Sequence, residues 1–239
     1  MKRVVISQPM FFPWVGMFEQ IRLADVYVHY PDVQFSKGSF TNRVQLKTDS
    51  EIRWLTVPLQ NVKLGQKIDE IEIDDRRDWR RQQVDLFQQW YAAAPHFREA
   101  LQLLTEVHSV RSRSLNELVI HSMDVVLDYY RLREEKQVFD SSQLGVGGKG
   151  SERVLAIVQK VGGDVYVTGH GAKNYLDHEA FERAGVCVEY IDYQRREYPQ
   201  LHGPFNPHVS ILDLVANMGA AGREWICSRS IPWREFLSK

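Results

Sequence analysis

Three stretches of the chain place polar residues and glycines directly behind short apolar runs, where side chains of mixed type can meet a ligand. Gln8 to Gly16 follows the β-branched run Arg3 to Ile6. In it, Gln8 stands where a buried amide could read a ligand's polar edge. Phe11, Phe12 and Trp14, crowded beside Pro9 and Pro13, make either a buried plug or an aromatic wall. In the second stretch Asp32, Gln34, Asn42 and Arg43 supply an acid, two amides and a guanidinium, a mixture suited to a polyhydroxylated or carboxylate ligand. The third is Thr168-Gly169-His170-Gly171-Ala172-Lys173. Its glycines allow close backbone approach, Lys173 adds a charge, and His170 can move protons near neutral pH. A tight turn with exposed side chains is the alternative for this last stretch.

Other candidates carry weaker signals. Gly145-Val146-Gly147-Gly148-Lys149-Gly150-Ser151 could cradle phosphate with backbone N–H groups, or act as a flexible connector. The Walker spacing is absent, because Gly150 follows Lys149 and no glycine stands five positions before Gly148. Tyr198 to His208 is a turn-rich loop holding Gln200, His202 and His208. The six-residue spacing of the two histidines matches no strong metal signature, so no metal is expected. Ser210 beside His208 suggests a dyad, but capping of the following helix explains the serine, with Asp213 at the third helical position. Cys187, between Val186 and Val188, reads as core.

The elements that must position these residues follow an α/β rhythm. Arg3 to Ile6 and Asp25 to Tyr30 read as strands with a helix at Met17 to Ala24 between them, the βαβ grammar of a parallel sheet. Trp54 to Leu59 and the alternating Ile68 to Ile73 are further strand candidates. Three amphipathic helices follow, broken at Pro95 and ending near Leu132, so a helical insertion is expected at about residues 76–134. The rhythm resumes with strands at Val138-Phe139, Asp164 to Thr168 and Val186 to Tyr190. Helices are expected after Ser151, over Tyr175 to Ala184, and over Ile211 to Met218. The expected fold is a mostly parallel, Rossmann-like α/β sheet with a helical insertion, residues 1–239 forming one unit. In such sheets ligands bind outside the carboxyl ends of the strands, which is where the three stretches fall.

Composition narrows the function class. The 239 residues carry 30 Lys+Arg against 31 Asp+Glu, a balance that argues against binding nucleic acid by bulk electrostatics. No apolar run approaches the roughly 18 to 20 residues that span a bilayer, and the apolar stretch after Met1 stops too early for a signal-peptide core. Two cysteines make no disulfide framework, so a cytoplasmic location is expected.

The motif blocks resemble the WbqC-like protein family. They are Gln8-Pro9, Phe12-Pro13-Trp14-x-Gly16-x-Phe18, Ala24-Asp25, Asp32-Val33-Gln34 and Asn42-Arg43, then Tyr166 to Asp177, then Phe205-x-Pro207-His208-x-Ser210 to Leu214. The resemblance covers nearly the whole chain. It implies work in surface-polysaccharide (O-antigen) gene clusters on nucleotide-activated amino sugars or their acyl decorations. A transferase passing an acyl or aminoacyl group to an amino sugar or small amine is the function expected. His170 and His208 are its candidate catalytic bases. Gln8, Trp14, Asp32, Gln34, Asn42, Arg43, Thr168, Gly169, Lys173, Tyr175, Asp177, Gln200, Ser210 and Asp213 are the candidate substrate-binding residues. The expected partners are a small molecule, with a nucleotide sugar and an acyl carrier protein as candidates. No cofactor is named by any motif. A fainter similarity to nucleotidylyltransferase-like folds lacks their triphosphate-holding histidines, since Pro13 to Met17 contains none. A nucleotidyl- or adenylate-forming enzyme, or a non-catalytic binder of nucleotide sugar or carrier, are the alternative functions.

Overall fold

A computed structural model describes residues 1–134 and 136–239 of the protein. Its main sheet runs β5-β2-β1-β6-β7-β8, built from β1 (Arg3–Ser7), β2 (Val26–His29), β5 (Gln137–Asp140), β6 (Val165–Thr168), β7 (Cys187–Asp192) and β8 (Arg229–Pro232). Five strands are parallel, and only β8 runs antiparallel, against β7. The fold is thus α/β with a mostly parallel, Rossmann-like sheet.

Strand alternation sorts the core. Val5, Tyr27, Val165 and Val167 face α1 (Val15–Arg22) and α7 (Ile211–Met218). The same apolar cluster takes in α2 (Trp79–Tyr91), α3 (Phe97–Ser109) and α4 (Leu115–Tyr129). Val4, Ile6, Val26, Val28, Tyr166 and Val188 face the other way, onto α5 (Gly150–Lys160) and α6 (His178–Arg183). Burial on both faces explains why the parallel strands read as continuous apolar runs. The hairpin β3 (Arg43–Lys47) and β4 (Ile52–Thr56) forms its own two-stranded sheet. The short α8 (Trp233–Ser238) ends the chain.

Three local expectations are corrected. Ile68 to Ile73 is not a strand: a single 3-10 turn covers Ile68–Glu70, followed by isolated bridges at Glu72 and Ile73. Ile68, Ile71 and Ile73 are all buried, a spacing that a turn entering a short extended piece satisfies and a flat strand does not. The helix expected from Tyr175 starts at His178, because Asp177 caps it by accepting the Ala180 N–H at 2.9 Å, and a 3-10 segment occupies His170–Asn174. Cys187 opens β7 at an exposed position and is not core. β8 and α8 carried no sequence signal of their own.

The aromatic loop is a plug. Phe11 and Phe12 are fully buried, and Phe12 holds the left-handed region at φ 38°. That conformation costs an L-residue roughly 1–2 kcal/mol. It is held from both sides: the Phe12 N–H donates to Ser122 Oγ at 3.0 Å, and Ser210 Oγ–H donates to the Phe12 carbonyl at 2.9 Å. Gly16 completes the arrangement, since a Cβ there would sit 2.2 Å from the Trp14 ring.

Candidate functional site

The chain leaves β1 for β2 and β5 on one side and returns through β6 and β7 on the other, so the β1–β6 seam is the topological switch point. The β1–β2 ladder runs from Val4↔Val26 to Ser7↔His29, whereas β1 and β6 are in register only at Arg3↔Val165 and Val4↔Tyr166. Beyond that the two strands part. Gln20, from α1, enters the gap and its Nε2–H donates to the Val167 carbonyl at 3.2 Å, replacing a lost ladder bond. Above the gap lies a cavity of about 540 Å³. Ligands in open α/β sheets bind at this place.

The cavity wall is uncharged and mixes polar groups with the apolar Ile6, Met10, Val33 and Val154. Ser7, Gln8, Gln20 and Thr168 bring hydroxyls and amides from the strand ends and α1, and Gly169 and Gly171 bring backbone. Tyr30, Tyr166 and Tyr175 add phenols. Burial raises the pKa of all three, so each stays protonated and able to donate at neutral pH. Among the described residues no Asp, Glu, Lys, Arg or His lines this space.

On the far side stands the first turn of α5, with Gly150 in the wall. The loop before it needs its glycines: Gly145, Gly148 and Gly150 have φ of 65°, 92° and 58°, where a side chain would be strained. Arg153 clamps this loop to the exit of β2. Its Nε–H donates to the Val146 carbonyl at 3.1 Å, its Nη2 pairs with the Asp32 carboxylate, and its guanidinium lies over the Tyr30 ring at 5.0 Å. Burial pushes the Asp32 carboxyl up, but hydrogen bonds from Arg153 and Ser141 outweigh it and hold the pKa below the usual value. Asp32 therefore anchors the site without lining it.

Of the residues expected from sequence, Gln8, Thr168, Gly169 and Tyr175 meet in the cavity wall. His170 turns away from it: its Nε2–H donates to the Ile191 carbonyl at 2.8 Å, and its ring sits between Tyr193 and Phe236. Tyr193 also touches Trp14, which in turn meets His208 at 5.4 Å between ring centres. Burial and the Arg195 charge lower the His208 pKa. Ser210 caps α7 and Asp177 caps α6. Gln34 forms an isolated bridge with Lys67, and Lys173 is exposed on the 3-10 segment. Asn42 and Arg43 line a separate groove beside the β3–β4 hairpin. Gln200 and Asp213 belong to a buried network described below. Sequence reasoning passed over Ser7, Gln20, Tyr30 and Tyr166. For Gln20 the only available signal is a glutamine on the buried stripe of a short helix, four residues after Gly16.

The family model for the WbqC-like protein family matches residues 8–224. The chain belongs to this family. Every wall-forming loop lies within the matched span. A protein of Mycobacterium tuberculosis (strain ATCC 25618 / H37Rv), the uncharacterized protein Rv1507c, is 31% identical over 229 residues, covering 95% of this chain and 98% of its own. No solved structure matches the chain. No helix among the described residues is long and apolar enough to cross a membrane.

Proposed function

We propose that this WbqC-like protein is a cytoplasmic biosynthetic transferase that passes an acyl or aminoacyl group to the amine of a nucleotide-activated amino sugar, in surface-polysaccharide or related metabolism. The observation that carries this reading is the cavity at the switch point. Its uncharged amides and hydroxyls suit sugar and ribose hydroxyls, and its far wall is the N-terminal turn of an 11-residue helix behind a glycine-rich loop, suited to a diphosphate. In the transfer, the amine nitrogen attacks the acyl carbonyl, the proton leaves the nitrogen, and the carrier departs with the electron pair.

His170 is the proton acceptor in this reading, standing in sequence between the wall residues Gly169 and Gly171. Its ring is turned out of the cavity toward Tyr193 and Phe236 with its Nε2–H committed to Ile191, and the role requires that ring to swing toward the ligand. That leaves Nδ1 as the basic nitrogen. His208 lies farther away, behind Trp14. The wall's lack of any charged side chain favours a second reading, a binder that presents the nucleotide sugar to another enzyme.

A thermal-shift screen with nucleotide amino sugars, ATP and acyl carrier protein tests the ligand class. Stabilisation by the nucleotide sugar is expected, by about 3 kcal/mol at a hundredfold excess over Kd. Stabilisation by ATP alone moves the function to adenylate formation, and no shift with any of them removes the proposal. Once turnover is seen, His170→Ala is expected to lower kcat by roughly 10²-fold or more, and His208→Ala to leave it within a few-fold. Full activity of His170→Ala rejects the base.

A further inference from the structure

The β3–β4 hairpin stands outside the main sheet, and four of the eight large exposed apolar side chains among the described residues lie on it or on its flanking loops. Phe40 and Trp54 are 40% and 37% exposed, with ring centres 5.5 Å apart. Val62 and Leu64, on the loop after β4, are 37% and 99% exposed. A groove of about 400 Å³ beside them is lined by Phe35, Val57, Pro58, Leu59 and Val62, and Arg43 in its wall lies against the Trp54 ring. Single exposed apolar residues are ordinary, but a group of them beside an apolar-floored groove marks an interaction surface.

The charges on this face are of one sign. Lys37 and Arg43 line the groove, and Lys63 follows Val62. Among the described residues none of these three cations enters an ion pair, and no carboxylate lines the groove. Arg43 lies over the Trp54 ring at 4.1 Å and spends one nitrogen on the Gly38 carbonyl, while its buried Nε has no acceptor. We propose that this face docks an acidic amphipathic segment of a partner protein, apolar side chains in the groove and carboxylates against Lys37, Arg43 and Lys63.

Charge and shape select this occupant. A second copy in a two-fold contact would set the same cations against one another. A bilayer surface is flat and does not reach the floor formed by Val57 and Pro58. The site is independent of what the cavity binds, yet touches its wall. The Phe35 N–H donates to the Gln66 carbonyl at 2.9 Å and the Ile68 N–H to the Val33 carbonyl at 3.0 Å, and Val33 lines the cavity. A docked segment therefore leans on the loop after β2 that borders the small-molecule site.

The test is fluorescence anisotropy with a labelled helical peptide carrying Leu at positions i, i+3, i+4 and i+7 and Glu elsewhere. Its control has Lys in place of every Glu. Saturable binding of the Glu peptide is expected, lost by roughly tenfold or more in the Lys37→Glu/Lys63→Glu double variant and in Leu64→Asp, and unchanged in Lys160→Glu. The double reversal is expected to gain the Lys peptide. The proposal is overturned if the Glu peptide does not bind, if the substitutions leave its affinity unchanged, or if both peptides bind equally. Phosphatidylglycerol vesicles or self-association in sedimentation equilibrium showing the same substitution dependence overturn it as well.

Discussion

Two polar assemblies differ in how their groups are partnered, one around Asp213 and one around the cavity. Asp213 is fully buried, and each of its oxygens has a donor: Tyr198 at 2.8 Å and Tyr91 at 2.6 Å. Gln200 bridges onward, its Nε2–H donating to Tyr198 and its Oε1 accepting from Lys47 Nζ at 2.8 Å. Lys47 also donates to the Pro204 carbonyl, closing the loop that the sequence marks by its prolines and glycine. Burial raises the Asp213 pKa, and the two tyrosines and Lys47 pull against it. In the cavity wall the partnering is incomplete: Ser7 Oγ meets the Tyr27 hydroxyl at 2.8 Å, but the two glutamines are left largely open. Gln20 uses only its Nε2–H, and the Gln8 side chain makes no hydrogen bond among the described residues. Groups that satisfy one another hold a structure together; groups left open toward a cavity are free to hold a ligand.

The sharpest way to break this comparison is at Asp213. Asp213→Ala leaves two buried tyrosine hydroxyls without their acceptor and the Lys47 ammonium without the nearby opposite charge, at an expected cost of about 3–5 kcal/mol in denaturant melts. Ligand affinity of the folded fraction is expected to hold. A stable Asp213→Ala protein with lost binding would reverse the roles of the two assemblies.

His29 is an intermediate case. Both its ring nitrogens are buried without partners, but it lies on the helix-covered face and not in the cavity. Burial lowers its pKa from 6.5 to about 4, with Asp140 raising it and Arg133 lowering it further. The unfolded chain therefore binds the proton more tightly, so stability falls as pH drops from about 6.5 toward 4. The expected loss is about 3 kcal/mol, and His29→Leu should flatten that part of the stability–pH curve. An unchanged curve would mean that the ring finds a partner.

The smaller effects belong to the cavity. Gln8→Ala and Thr168→Val are each expected to weaken the ligand by about tenfold in calorimetry while changing stability by less than about 1 kcal/mol. Equal losses in both quantities would place these side chains with the Asp213 type.

The parallel sheet was legible because strands buried on both faces must be apolar throughout, and the strand-end rule then pointed to Gln8, Thr168 and Gly169 correctly as neighbours in space. The Ser210 cap was legible too, since its local hydrogen bond needs no tertiary knowledge, whereas the Asp177 cap was not, the helix there being expected from Tyr175. What stayed hidden depends on register. Nothing in the residue types says that β1 and β6 part after Val4 and Tyr166, or that Gln20 fills the gap. Arg43 shows the opposite failure, a guanidinium beside polar loop residues that the hairpin carries away to another face. Asp213 stands out in the sequence only as an acid in the first turn of its helix and a member of the Phe205 to Leu214 motif block, and the tyrosines that pair with it stand 122 and 15 residues away in sequence.

Hydrogen exchange with and without a saturating nucleotide amino sugar tests the central claim most directly. Slowed exchange is expected at the end of β1, at Thr168 to Ala172 and at Gly145 to Ser151, with residues 35–62 unchanged. Protection confined to the hairpin groove, or to the loop around Asp213, would contradict it.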